Sequence, residues 1–256
     1  MRACLLATEL ARRAGLDRVR QGEVYYGTLL RFAGCAATSH EIAAAFGGDD
    51  IVVRARGDLI DLAVPAEAMR FLAGLGMDGD GLRVLGGVAG VARLKAEGAR
   101  ADCEVGATLA ERLRLPEAVI GSIRDAFERF DGHGVPAGRA GDEITEPARF
   151  AAVGYAAVMF EAVAGEAAAT ETVARWSGRA LDPATAAVFL DAPAELLRIE
   201  GGTVRPGLAE GVQHVGRGEQ AGGPVQLGRA DARRITGTVQ PFVMAAGYLA
   251  ERREQR

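Results

Sequence analysis

The chain has 256 residues, of which 49% are apolar and 5% aromatic, and its formal net charge is −4. This length allows one large or two small domains, and the acidic balance argues against a nucleic-acid footprint over the whole surface. Three cysteines are too few for a disulfide framework, which favours a reducing cytoplasm. No uninterrupted apolar run reaches the length of a membrane span, and the residue mix favours helix.

Apolar residues at helical spacing predict helices in the first third of the chain. Gly15 ends the first of them, and Thr38 with Glu41 has the spacing of a capping box. Pro65 suits the first position of a helix, whereas residues 51–64 fit both a strand and a helix. The predicted helices cover 1–14, 23–32, 38–45 and 65–73.

The middle of the chain continues the helical pattern, and its end does not. Asp182 followed by Pro183 predicts a helix start, and the glycines of 131–141 predict a loop. Residues 200–228 contain nine glycines and two prolines, which indicates a linker or a loose extension before a C-terminal helix within 229–256. Residues 1–199 are the predicted helical domain. Its further helices cover 82–97, 103–112, 116–129, 147–163, 167–176 and 183–190.

Four stretches together resemble the HD-GYP family. Residues 127–136 read FERFDGHGVP, which resembles the family's HHE-x-x-DG-x-GYP loop. GDEI at 141–144, followed by ARF at 148–150, is similar to the text that follows that loop. DCEVGA at 102–107 and LLRFAGC at 29–35 resemble two earlier motifs, H-P-E-I-G-A and L-L-H-D-I-G-K. Order and spacing agree over about residues 1–192, and the run from Tyr25 to Cys35 also resembles HD-GYP-like regions of actinobacterial LuxR-type regulators.

The resemblance implies an all-helical bundle of the HD superfamily, whose members hold two or three iron or similar ions that activate water against cyclic di-GMP. Carried over by position, the ligands of those ions are replaced in this chain. The earliest family histidine would lie before Met1, and Asp102 alone keeps a group that ligates metals. The remaining ligand positions and the family's lysine fall on Arg31, Phe32, Cys35, Ala126, Phe127 and Tyr155.

The number of histidines agrees with the loss of this metal site. The chain has only His40, His133 and His214, whereas a two-metal hydrolase needs several imidazoles and carboxylates in one cavity. We therefore predict no bound metal, no cofactor and no catalytic residue of the family's kind. Aromatic rings would fill the former cavity, Arg31 would repel cations, and Asp102 would neutralise Arg31 as a buried pair.

The candidate site is a ligand-binding cleft left where the ions would lie. His133 is interpreted as an exposed turn residue, with acid–base catalysis as the alternative. Cys35 and Cys103 are interpreted as small buried hydrophobes, with a redox switch as the alternative. The predicted lining is Arg31, Phe32, Asp102, Phe127, Arg129 and Tyr155, beside a loop with Asp131, Gly132, His133, Gly134 and Pro136.

The function predicted from these features is a non-catalytic regulatory or interaction module that binds a small molecule, a nucleotide or a protein partner. The resemblance implies a homodimer. One alternative is a phosphohydrolase, such as a cyclic di-GMP phosphodiesterase, with an altered site. Another is a component of a transcription regulator, although the acidic net charge disfavours direct DNA binding.

Overall fold

The computed structural model describes residues 1–40, 57–61, 64–74 and 87–199, and within these ranges the chain is helical without a strand. Two isolated β-bridges join Asp131 to Ala140 and Ser177 to Leu181. The all-helical prediction is therefore confirmed. The described helices are α1 (Arg2–Arg13), α2 (Arg18–Leu30), α3 (Pro65–Gly74), α4 (Gly87–Arg112), α5 (Glu117–Arg124), α6 (Glu146–Ala164), α7 (Glu166–Trp176), α8 (Pro183–Asp191) and α9 (Pro193–Leu197), with 3-10 helices Cys35–Thr38 and Gly141–Glu143.

Capping residues determine where α1 ends and where α2 begins. Gly15 follows α1 with φ of +84°, a conformation that residues with a side chain rarely adopt. Asp17 then caps α2, because its carboxylate accepts hydrogen bonds from the amides of Val19 and Arg20. Helix α2 consequently begins at Arg18, five residues before the predicted start at residue 23, where the apolar pattern becomes visible.

The predicted helices 82–97 and 103–112 are one helix, α4, over the described range Gly87–Arg112. The predicted break between them was wrong. The intervening residues contain no proline, and a glycine inside a helix costs only about 1 kcal/mol relative to alanine. Gly98 is accordingly accommodated without a break.

Helix α5 is shorter than the predicted 116–129 and ends at Arg124. The carboxylate of Asp125, the residue that follows, is only 2% exposed. It accepts hydrogen bonds from the Thr145 amide at 2.9 Å and from the Arg139 guanidinium at 2.7 Å. These long-range bonds turn the chain away from the helix axis, and the sequence alone gave no sign of them.

The later helices confirm their predictions closely. Pro147 lies in the first turn of α6, and the Asp182 side chain caps α8 by accepting from the amides of Ala184 and Thr185. Helix α9, a single turn beginning at Pro193, was not predicted, because five residues are too few for a periodic pattern. The predicted linker 200–228 and the predicted helix in 229–256 lie outside the described residues.

Two hydrophobic clusters hold the helices together. The larger joins α1, α2, α6, α7, α8 and α9 around Leu6, Leu10, Val153 and Phe189, while the smaller joins α2, α4 and α5 around Leu30 and Ile123. Helix α2 contributes to both, and this places its C-terminal end between them. Within the described part of the chain, no helix combines the length and apolar character that crossing a membrane requires.

Candidate functional site

Three aromatic rings meet beside the C-terminal end of α2. The ring centroid of Phe32 lies 4.9 Å from that of Tyr155 on α6 and 6.2 Å from that of Phe127, which follows α5. We call Phe32, Phe127 and Tyr155 the aromatic cluster. All three residues are half-buried, so the cluster retains some exposed surface. The structure thus brings together three of the positions where the resemblance implies metal ligands.

Arg31 lies over this cluster. Its guanidinium carbon is 5.5 Å from the Phe32 centroid and 5.7 Å from the Tyr155 centroid, within the range of cation–π attraction. Arg31 is also the residue that follows the last turn of α2. Its Nε is buried without a hydrogen-bond partner. Burial lowers the pKa of Arg31 from its ordinary value.

The phenol of Tyr155 is bonded to a carboxylate that sequence reasoning missed. Its hydroxyl donates to Oδ2 of Asp58 at 2.6 Å. Burial, followed by the charge of Asp58, raises the pKa of Tyr155 well above its ordinary value, so the phenol stays protonated. Asp58 lies in the segment whose secondary structure was ambiguous, and no motif pointed to its contact with a residue 97 positions away.

Asp102 is buried, but it does not neutralise Arg31. Its Oδ1 accepts a 2.7 Å hydrogen bond from the Thr38 hydroxyl, and among the described residues Arg31 forms no ion pair with it. The predicted buried pair was wrong. Asp102 belongs to the part of α4 that contacts the 3-10 helix Cys35–Thr38, whereas the Arg31 guanidinium lies over the rings.

Thr38 is therefore engaged with Asp102 across the fold. The predicted capping box required its hydroxyl to serve a helix start with Glu41, which lies outside the described residues. A spacing pattern of four residues identifies local bonds only. It could not have revealed a partner 64 positions away in the sequence.

Both cysteines near the site are buried, and neither forms a disulfide. Burial raises the pKa of the Cys103 thiol to about 12, so little thiolate forms at neutral pH. Cys35 is 3% exposed. These properties fit the interpretation of both residues as small buried hydrophobes better than the redox alternative.

Arg129 is held by two carboxylates at the edge of the site. It donates to Asp131 through Nε at 3.0 Å and Nη2 at 2.6 Å, and to Asp61 through Nη1 at 2.8 Å. Asp61 is 2% exposed and was not predicted. Although burial opposes it, the bonds and charges of the two aspartates raise the pKa of Arg129. Arg129 therefore ties the segment at 57–61 to the loop.

The loop itself has a tightly defined backbone. Gly132 has φ of +77°, and the peptide bond between Val135 and Pro136 is cis. A side chain at Gly134 would lie 2.3 Å from the Arg129 amide nitrogen, so glycine is required there by close approach. The His133 side chain is 73% exposed, and its Nδ1 is 3.5 Å from Asp131 Oδ1. This position agrees with an exposed turn residue.

The residues present do not fit the ion cluster that the resemblance implies. Two phenylalanine rings and a guanidinium cannot ligate iron or a similar ion, and the Tyr155 phenol, which would ligate only as a phenolate, is protonated and bonded to Asp58. Among the residues that the structure describes, no three His, Cys, Asp or Glu side chains are grouped in a way that would hold a metal.

No protein-family model matches the sequence, and no curated protein matches it significantly. In fold, the chain is similar to a cyclic GMP-AMP-specific phosphodiesterase of V. cholerae, V-cGAP3, with a TM-score of 0.55 and 21% sequence identity. The likeness covers 99% of this chain but only 56% of that one. At this identity the likeness concerns the fold alone, and it agrees with the all-helical fold that was predicted from the sequence.

Proposed function

We propose that this chain is a non-catalytic HD-GYP-like module that regulates or binds partners, and that its remnant cleft takes a small molecule or nucleotide. The observation that carries the proposal is the Arg31 guanidinium lying over Phe32 and Tyr155, where catalytic members of the resembled family hold ions. A fixed positive charge repels a metal cation, the phenylalanine rings offer no lone pair, and the Tyr155 phenol is protonated and bonded to Asp58. Fold and chemistry are separable, because chemistry depends on the site.

Cyclic dinucleotides are the first ligands to test. The fold is similar to that of an enzyme that acts on cyclic GMP-AMP, and the cluster combines a cation with aromatic faces. Arginine pairs with phosphate through its planar fork, and aromatic rings stack on bases. Both features suit a nucleotide that is bound and released unchanged.

The test measures metal content and turnover of the full chain purified without chelator. We expect iron, manganese and zinc far below one ion per chain, and no hydrolysis of cyclic di-GMP or cyclic GMP-AMP with Fe²⁺ or Mn²⁺ added. A catalytically active HD-GYP phosphodiesterase assayed in parallel is the positive control. Stoichiometric iron together with hydrolysis would refute a non-catalytic role.

A rebuilt, metal-independent phosphohydrolase is the second candidate, favoured by the hydrogen bond between Tyr155 and Asp58 beside Arg31. In this candidate Arg31 stabilises the charge of a phosphoryl group while Tyr155 donates a proton. Turnover in EDTA that disappears in Tyr155→Phe would support it. The high pKa of Tyr155 disfavours the reverse role of general base at neutral pH.

Self-association is a further part of the proposal, since the resemblance implies a homodimer. Sedimentation velocity over a range of concentrations tests this directly. A single species of about 53 kDa, twice the chain mass of 26.7 kDa, is the expected result. A monomer at all concentrations would refute self-association and would not bear on ligand binding.

A further inference from the structure

We infer that Arg31 anchors an oxyanion, the phosphate or phosphodiester group of a ligand bound at the aromatic cluster. This inference rests on the proposed function, because it assigns a ligand class to the same cleft. A guanidinium carries five N–H donors, and buried polar groups in proteins nearly always find partners. Yet Nε of Arg31 is buried without a hydrogen-bond partner. This unused N–H group points to an acceptor that arrives from outside.

The surroundings explain how the cation is tolerated without such a bond. The faces of Phe32 and Tyr155, at 5.5 and 5.7 Å, attract the charge without occupying its N–H groups. These contacts hold the guanidinium in place and leave its Nε–H without a hydrogen-bond acceptor.

The members of the cluster and Arg31 keep part of their surface exposed, although Nε of Arg31 itself is buried. Arg31, Phe32, Phe127 and Tyr155 are all half-buried. A ligand that reaches the guanidinium would therefore also meet aromatic surface, which favours a phosphate attached to a planar ring over a bare anion. The expected ligand is a nucleotide-like phosphodiester, with free phosphate as the weaker source of the same chemistry.

Asp58 allows a test of the direction in which anion affinity changes when a nearby negative charge is removed. The Tyr155 hydroxyl holds its carboxylate at 2.6 Å, and its negative charge acts on Arg31. An incoming oxyanion must approach against that charge. Removing the charge should therefore strengthen anion binding, whereas a purely structural role for the pair predicts no gain.

The first experiment is calorimetric titration of the full chain, in EDTA, with cyclic GMP-AMP, cyclic di-GMP and inorganic phosphate as separate probes. We expect at least one dinucleotide to bind more tightly than phosphate. Arg31→Met should weaken it roughly tenfold or more, and Arg31→Lys, which keeps the charge but loses the fork, by a smaller factor. The matched control is Arg124→Met, because Arg124 forms only exposed ion pairs with Glu111 and Glu117.

The second experiment is the same titration with Asp58→Asn, for which we expect affinity to rise by roughly threefold or more. Asp142→Asn is the control, since the Asp142 side chain is 92% exposed and should leave affinity unchanged. Melting curves establish that each variant is folded. Arg31→Lys keeps the test decisive if Arg31→Met does not fold.

Two results would overturn the inference: no binding of any of the three probes, or equal affinity in the wild type and the Arg31 variants. Tighter binding of phosphate than of either dinucleotide would overturn the nucleotide-like ligand. Hydrolysis of a bound dinucleotide would instead contradict the non-catalytic function and leave the role of Arg31 intact. The two proposals therefore fail in distinguishable ways.

Discussion

Arg129 illustrates how a single side chain can connect separate segments. Its guanidinium is 13% exposed and bonds Asp61 and Asp131, of which Asp61 is almost fully buried. Arg129→Met would remove the cation that Asp131 binds through two hydrogen bonds and the nearer cation of Asp61, which keeps Arg179 at 3.5 Å. We expect a loss of about 3 kcal/mol in the free energy of unfolding. Urea denaturation measures this loss.

Arg124→Met is the matched control for that substitution, because the ion pairs of Arg124 are exposed and typically contribute less than about 1 kcal/mol. Equal losses for the two variants would contradict a structural role for the Arg129 bridge. The comparison separates a buried bridge from the removal of a positive charge in general.

Glu9 makes stability depend on acid pH. Hydrogen bonds from Arg12 lower the pKa of this carboxyl below its ordinary value of 4.5, with Arg13 adding to the effect although burial opposes it. Above that value the carboxylate is charged in both the folded and the unfolded chain, so its stabilisation is complete. As pH falls through the folded pKa, protonation removes it.

We therefore expect Glu9→Gln to lower the free energy of unfolding by about 1–2 kcal/mol at neutral pH. The difference in stability between wild type and variant should decrease as the pH falls below the ordinary pKa of glutamate. Urea titrations at several pH values check this. Glu97→Gln is the control, because Glu97 and its partner Arg93 are largely exposed. A constant difference across pH would contradict the assignment.

At the level of single side chains, the sequence showed which residue types occupy the family's ligand positions, but it did not show which residues contact one another. The absence of imidazole at the family's ligand positions was readable directly, and Arg31 does meet the aromatic cluster. The expected pairing of Arg31 with Asp102 was wrong, and Asp58 and Asp61 were missed. Such contacts join residues more than 60 positions apart, which local patterns do not encode.

Gly34 allows the 3-10 helix Cys35–Thr38 to approach α4. A Cβ at this residue would lie 1.8 Å from the Asp102 carbonyl oxygen and 2.9 Å from the Gly106 nitrogen. Because both neighbours are backbone atoms, Gly34→Ala must displace one element from the other. We expect a loss of about 2–3 kcal/mol in the free energy of unfolding, measured by chemical denaturation.

Gly98 offers a control of opposite sign. It lies inside α4, and an added Cβ would meet nothing within 4 Å. Gly98→Ala should stabilise the chain by about 0.5–1 kcal/mol, since alanine loses less backbone entropy in a helix. If both alanine variants shifted stability in the same direction, the close approach at Gly34 would not be the cause.

Helix boundaries were predicted best where a residue near the boundary carries the signal. Asp182 with Pro183 and Pro147 belong to this class. Boundaries set by tertiary bonds were predicted worst, as at Asp125, where the loop draws the chain out of α5. Helix α4 was divided in the prediction because a glycine was given more weight than its modest cost.

For the molecule as a whole, the two hydrophobic clusters supply the contacts between helices. They involve α1, α2 and α4 to α9. If no ion links these helices, chelation should not weaken the fold. We expect the melting temperature of the full chain to change by less than about 1 °C after dialysis against EDTA, as measured by calorimetry.

Addition of Fe²⁺ or Mn²⁺ to the dialysed chain is the complementary measurement. A ligand that binds only the folded state raises the melting temperature. We expect no saturable rise with either ion. A melting temperature that falls on chelation and is restored by one of these ions would contradict a fold that is stable without metal.

The fold class was predictable at this scale because composition and periodicity are summed over many residues. Helix-forming residues dominate throughout 1–199, and errors at single boundaries do not change the class. The likeness to V-cGAP3, which concerns the fold alone, agrees with this class. Ligand, partner and assembly depend on particular surfaces, and these remain predictions.

The backbone of the loop after α5 is held by hydrogen bonds to carboxylates that precede the loop. The Glu128 side chain accepts hydrogen bonds from the amides of Ala137 and Arg139 at 2.7 and 3.0 Å, and Asp125 accepts one from Thr145. Slow hydrogen–deuterium exchange should therefore occur at these amides, although none of them lies in a helix. Glu128→Ala would release the first two and leave Thr145 protected, as amide-resolved NMR would detect.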